Sequence, residues 1–148
     1  MAKMKDVKLE LERIQAENNG LLLPEDVVEA ARVKESILHD KFTWDDTAAA
    51  DRYRLWQARQ LITAVVTILP NDPKKAEVVQ FVSLKSDRND TGGYRSLPIV
   101  LSESVLRAQL LRDALSDLGI FQRKYRQLVE LSGIFESIDL VLTNTASK

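Results

Sequence analysis

The sequence contains no cysteine and only one histidine, His39, and these two scarcities exclude several kinds of site. Without cysteine the chain has no disulfide, no thiolate nucleophile and no cysteine-ligated metal, which fits a reducing compartment. A metal at His39 would need a shell of carboxylates, and Asp40, Asp45 and Asp46 are the nearby candidates. A metal-assisted hydrolase built on these residues is the weakest hypothesis, so we expect no enzyme, no cofactor and no metal site.

Long apolar runs and an excess of charge of one sign are also missing. The longest uncharged run, Gln60 to Asn71, is too short to span a bilayer, and residues 1–15 lack the apolar region of a secretory signal. The 21 Lys+Arg and 22 Asp+Glu side chains give a net charge of -1, with no basic or acidic tail. This balance counts against strong non-specific binding of nucleic acid but allows a local basic patch, and it predicts no membrane association.

Glycine is scarce as well, with five in 148 residues, and none lies in a nucleotide-binding motif. The pair Gly92-Gly93 in "TGGY" lacks the Gly-Lys-Ser/Thr ending of a phosphate-binding loop and leads into a predicted strand. There is also no G-x-S-x-G motif. These absences favour a protein that acts by binding.

The order of helical and strand patterns predicts a single α+β domain over residues 1–148. Helical spacing of apolar residues and the stop signal Asn18-Asn19-Gly20 indicate an N-terminal helix, and Pro24 suits the first turn of a second helix. Runs rich in β-branched residues predict three strands that form an antiparallel meander. Pro98 argues that the third strand lies at an edge of the sheet. The predicted parts are the N-terminal helix 1–20, the helical pair and meander 21–101 (strands 63–69, 76–84 and 94–101), the C-terminal helices 102–143 and a frayed tail 144–148.

The third helix follows the most informative stretch, "LHDKFTWDDTAAADRYRLWQARQLI" (38–62). Asp45 is a good N-cap candidate, and Asp46 faces the positive end of the helix dipole favourably. We expect Trp44, Tyr53 and Trp56 to pack in the core and the arginines of this helix to be exposed.

The leading functional hypothesis is DNA association by a winged helix-turn-helix-like arrangement, in which the third helix enters the major groove. The acidic first turns of this helix and the long link from Lys34 to Trp44 oppose it. The predicted phosphate contacts are Arg52, Arg54, Arg59, Lys85, Arg88 and Arg95, and the predicted contacts to base edges are Gln57 and Gln60.

The alternative hypothesis is a protein-binding module, either a virion or assembly component or a binder of a host protein. It uses the predicted edge strand Tyr94 to Ile99, which is available for strand addition, and an apolar seam of the C-terminal helix. A homo-oligomer through this helix is compatible with both hypotheses. The seam residues follow heptad spacing and are Leu111, Leu118, Phe121, Tyr125 and Leu128.

Several of these segments together resemble a group of small proteins encoded by tailed bacteriophages and prophages. The resemblance rests on "LPEDVVEAAR", on the segment from His39 to Ile62, and on "FVSLKSDR", "GGYR" and "LRDALSDLGIFQRKYRQL", and it spans about Leu23 to Ile138. It implies a viral origin and a setting in the host cytoplasm or the virion. It implies no mechanism and transfers no functional residue to this chain.

Overall fold

The computed structural model describes residues 3–44, 47–89 and 92–146 of the chain. The chain divides into two compact units, an N-terminal unit, Met1–Ser104, and a C-terminal unit, Val105–Lys148. Within the described residues the helices are α1 (Met4–Glu17), α2 (Pro24–Ala31), α3 (Ala48–Ala64), α4 (Lys85–Arg88), α5 (Leu97–Ser102), α6 (Ser104–Tyr125) and α7 (Ser132–Ala146). The strands are β1 (Val66–Ile68), β2 (Glu77–Val79), β3 (Phe81–Val82) and β4 (Arg95–Ser96).

The core of the N-terminal unit lies between its first three helices. Helix α1 buries Val7, Leu11 and Ile14, which share one face because they are spaced by three or four residues. The predicted stop after α1 is confirmed, since Asn19 and Gly20 have φ angles of 54 and 86°. Pro24 occupies the first turn of α2, as predicted. The other members of the core are Leu22, Val27, Val28, Ala31, Leu38, Phe42, Ala58, Ile62, Val65 and Phe81.

The predicted α+β class is confirmed, but the strands form two antiparallel pairs in the described residues. β1 pairs with β2, with Val66 opposite Val79, and β3 pairs with β4, with Phe81 opposite Ser96. The predicted strand 76–84 is divided at Gln80. The Gln80 N–H donates to Val65 O at 3.0 Å, and Gln80 O accepts from Leu97 N–H at 2.8 Å, so this residue joins the two pairs.

Two predicted strands are too long. Helix α3 continues to Ala64, and within it the Thr63 hydroxyl donates to the carbonyl of Arg59 at 3.0 Å. The predicted strand 94–101 is wrong beyond Ser96, since Leu97–Ser102 is helix α5. Pro98 lies in the first turn of α5, where a missing N–H costs no hydrogen bond, and not in an edge strand.

Thr47 is the N-cap of α3, and its Oγ1 accepts a hydrogen bond from Ala50 N–H at 3.2 Å. The predicted cap Asp45 and its neighbour Asp46 lie outside the described residues. At the other end of the chain, α7 runs to Ala146, so the predicted frayed tail 144–148 is helical as far as it is described.

The C-terminal unit consists of α6 and α7, joined through a 3₁₀ turn at Val129–Leu131. Of its described residues only Gln122, Phe135 and Ile138 are buried. Gln122 Nε2–H donates to Asp139 Oδ1 at 2.7 Å and links the two helices. Most apolar side chains of this unit therefore remain in contact with water.

Candidate functional site

The described residues just before α3 form an aromatic cluster around Trp44. The Trp44 indole N–H donates to His39 O at 2.8 Å, and the two rings stack with centroids 5.0 Å apart and planes 9° apart. His39 Nδ1 lies 2.8 Å from Ala31 O, and since a carbonyl only accepts, Nδ1 carries the proton. The predicted packing role of Trp44 is confirmed.

Arg54 was predicted to be exposed, and this prediction is wrong. The residue is 4% exposed, its Nε–H donates to Thr43 O at 2.8 Å, and its guanidinium lies 5.0 Å from the centre of the Trp44 ring. Its Nη1 also contacts Asp51 at 2.7 Å. The reason is the helical period, because residue 54 is four residues from the buried Ala50 and Ala58 and so shares the core-facing side of α3.

The Gln57 side chain also has a hydrogen-bond partner within the fold. Its Oε1 accepts a hydrogen bond from Thr43 N–H at 3.1 Å, and the residue is partly buried. Gln57 and Arg54 together hold the residue before Trp44 against α3. Both side chains therefore have hydrogen-bond partners within the fold.

The outward face of α3 carries an exposed aromatic pair. Tyr53 and Trp56 are 48 and 51% exposed, although the sequence pattern predicted that both pack in the core. Their rings stack with centroids 5.6 Å apart, so each ring covers part of the other from water. Arg52, Arg59 and Gln60 are exposed on the same helix. These three are the residues of α3 in the predicted nucleic-acid-binding set that remain accessible to solvent.

The three predicted contacts beyond α3 have different surroundings. Arg95 donates to both oxygens of Asp87, at 2.7 and 2.9 Å, and this hydrogen bonding raises the pKa of its guanidinium against the opposing effect of burial. Lys85 is partly buried at the start of α4, and Arg88 is exposed at its end. Only Arg88 presents its charge openly.

Arg59 and Arg88 both line one cavity of about 320 Å³ in the N-terminal unit, which we call the arginine cavity. Its wall includes the start of α2 at Pro24 and Glu25, and the residue Tyr94. Leu22 and Tyr94 exchange backbone hydrogen bonds of 2.7 and 2.8 Å, which hold these two segments together. This cavity could not be predicted from sequence patterns, because its lining residues come from four separate segments.

In the C-terminal unit the predicted seam is only partly covered. Leu111, Phe121 and Leu128 are 49, 36 and 46% exposed, whereas Leu118 and Tyr125 are partly buried. Phe121 contacts both Tyr125 and Phe135, at 5.0 and 6.1 Å between ring centroids. Further exposed apolar residues that the heptad spacing did not select are Val105, Ile120, Val129, Ile134, Leu140 and Val141.

Within 3–44, 47–89 and 92–146 no three metal-binding side chains lie close enough together to hold an ion. None of the helices in these ranges has the length and apolar character that a bilayer-spanning helix requires.

The chain matches no family model, no curated protein and no solved structure.

Proposed function

We propose that this protein is a non-enzymatic assembly protein whose C-terminal unit pairs with the same unit of a second copy. The observation that carries the proposal is the number of large apolar side chains that α6, α7 and the turn between them leave exposed. There are nine of them, between 36 and 76% exposed. In the bacteriophage setting that the sequence resemblance implies, such a protein would serve as a virion or assembly component.

The exposed apolar area is of the size that a stable dimer needs. Fully burying a Val, Leu, Ile or Phe side chain contributes about 1.5–3 kcal/mol at about 25 cal/mol per Å², which corresponds to roughly 60–120 Å² of apolar surface. The exposed fractions of the nine side chains add up to almost five whole side chains, so together they leave on the order of 300–600 Å² in water. A standard interface buries about 800 Å² on each partner, of which a little more than half is apolar. A unit of this length, with three buried residues, also falls below the size at which a helical chain supports its own core.

The charges of the C-terminal unit favour a second copy over a partner of one charge sign. Residues 105–146 carry five basic and five acidic side chains, so two copies meet without net repulsion. Two helical hairpins that share their apolar faces form a four-helix bundle, which is the usual way in which such a hairpin closes its core.

Sedimentation velocity or light scattering of the full chain over micromolar to millimolar concentrations tests this proposal. We expect a mass of twice 16.8 kDa. Ile134→Gln combined with Leu140→Gln, at residues that are 51 and 64% exposed, should weaken the dimer about 1,000-fold or more, because both copies carry both changes and each of the four costs about 1–1.5 kcal/mol of apolar burial.

The matched control is Leu9→Gln on α1, which removes an apolar side chain that is 56% exposed in the other unit. This variant should associate like the unchanged chain. A wild-type protein that stays monomeric at every concentration would contradict the proposal, as would equal weakening by the control.

Nucleic-acid association is the second candidate function, and the exposed Tyr53–Trp56 pair favours it. Aromatic faces flanked by arginines stack on unpaired bases, so the outward face of α3 suits a single strand better than a duplex. Anisotropy of labelled single-stranded and duplex DNA at low and high salt tests this candidate. Trp56→Ala should reduce single-strand affinity about 10-fold or more, and the absence of binding at low salt would dispose of it.

A further inference from the structure

Two arginines from different elements line the arginine cavity, Arg59 from the middle of α3 and Arg88 from the end of α4. Neither forms an ion pair with a carboxylate in the described residues. Ion pairs are described for four of the chain's eleven arginines, namely Arg13, Arg32, Arg54 and Arg95. We infer that the arginine cavity is a binding site for the phosphate group of a phosphate ester.

The position of Arg88 follows from contacts of the preceding residue. Asp87 is held by both hydrogen bonds from Arg95, and its carbonyl accepts from Gly92 N–H at 2.8 Å. These contacts hold the single turn of α4 to Arg95 and to Gly92. Arg88 is therefore presented to the cavity from a fixed turn, while its own guanidinium has no described partner.

The N-terminus of α2, which is the positive end of the helix dipole, also lines the arginine cavity through Pro24 and Glu25. The N-cap residue of α2, Leu23, has no side-chain oxygen, so no side chain caps the first N–H groups of this helix. Gly93 allows the close approach of the two segments, because a Cβ at this residue would lie 2.9 Å from Leu23 Cδ2. A helix N-terminus alone does not make a site, but here it lies at a cavity that is also lined by two arginines.

The charges and size of the cavity define the class of ligand. Among the described lining residues the charged ones are Arg59, Arg88 and Glu25, which together carry a net charge of +1. Guanidinium groups bind phosphate oxygens in a bidentate manner, and Ser83 and Tyr94 are hydroxyl-bearing residues of the same lining. About 320 Å³ lies at the lower end of ligand-binding cavities and accommodates a nucleotide-sized molecule or a short stretch of nucleic-acid backbone.

Calorimetric titration of the full chain with inorganic phosphate, adenosine monophosphate and a short single-stranded oligonucleotide at low salt tests the inference. Arg59→Gln and Arg88→Gln should each weaken phosphate-ester binding about 10-fold or more, since each removes a charged hydrogen-bond donor. Glu25→Gln should strengthen it several-fold, because a repelling carboxylate is removed from the wall.

Lys34→Gln is the matched control, since it removes one exposed positive charge away from the cavity and should leave binding unchanged. Circular dichroism checks that each variant stays folded. If adenosine monophosphate binds, a free nucleotide is enough to supply the phosphate group. If only the oligonucleotide binds, the ligand is the nucleic-acid backbone. No binding of any probe, equal loss in the control, or weaker binding by Glu25→Gln would overturn the inference. Because the dimer proposal concerns the other unit, either proposal can fail without the other.

Discussion

Replacing Arg54 by alanine tests whether this arginine is part of the core or available to a partner. The change removes the hydrogen bond from Nε to Thr43 O, the contact with Asp51, and a guanidinium that lies 5.0 Å from the centre of the Trp44 ring. If the residue served only as a phosphate contact, its removal would barely affect stability. In the structure described above it should be among the most destabilising arginine substitutions.

The magnitude can be worked out from the three contacts. A charged hydrogen bond to a carbonyl contributes about 1.5–3 kcal/mol, and the stacking on an indole adds about 0.5–2 kcal/mol. The contact with Asp51 adds little, because that carboxylate is 63% exposed and well screened. We therefore expect the free energy of unfolding to fall by about 3 kcal/mol, which lowers the Tm by roughly 6–12 °C for a chain of this length.

Urea unfolding followed by tryptophan fluorescence provides the measurement. In a Trp56→Phe background Trp44 is the only tryptophan, so the signal reports on the ring that Arg54 covers. Arg52→Ala on the same helix is the control, because this exposed residue should change stability by no more than about 0.5 kcal/mol. Equal stability of the Arg54→Ala and Arg52→Ala variants would refute the buried arrangement and return Arg54 to the accessible face.

Three further substitutions test local features of the fold. Thr47→Ala should cost about 1 kcal/mol of unfolding free energy by removing the cap of α3, whereas Asp45→Ala should cost little. A larger loss of stability in Asp45→Ala than in Thr47→Ala would favour Asp45 as the cap, as the sequence pattern predicted. Gly93→Ala should cost about 2 kcal/mol because of its φ of 149° and the contact with Leu23, while Gly92→Ala, with φ 67° and open space, should cost about 1 kcal/mol; equal thermal melts would contradict this. Trp44→Phe should cost about 1 kcal/mol in urea unfolding, since it leaves His39 O without the indole donor, and an unchanged midpoint would show that this bond is not made.

The parts of the fold that sequence reasoning predicted well are those with a strong local signal. Helix α1 repeats apolar residues on one face and ends at an Asn-Gly stop, so its extent follows from the sequence alone. The strands carry weaker signals. Leu97–Ser102 has the apolar and β-branched composition of a strand, and its helical state is decided by tertiary context and by the position of Pro98.

The candidate site was harder to predict because residue type misled the assignment of helix faces. Tyr53 and Trp56 were placed in the core as aromatic residues, and Arg54 at the surface as a charged one. Ala50, Ala58 and Ile62 are spaced by eight and four residues, which indicates the true core side of α3, and residue 54 lies on this side midway between Ala50 and Ala58. The arginine cavity had no comparable signal, since it depends on long-range pairing such as that between Leu22 and Tyr94.

The two proposals together make a prediction that neither makes alone. A dimer formed through the C-terminal unit carries two arginine cavities, so a long single strand can engage both, and the second contact becomes intramolecular. The Ile134→Gln and Leu140→Gln variant should then bind adenosine monophosphate like the unchanged chain but lose about 100-fold in affinity for a long oligonucleotide. Equal affinity of the dimeric and monomeric forms for the long strand would show that each cavity binds independently. Assembly and phosphate binding would in that case be separate properties of the two units.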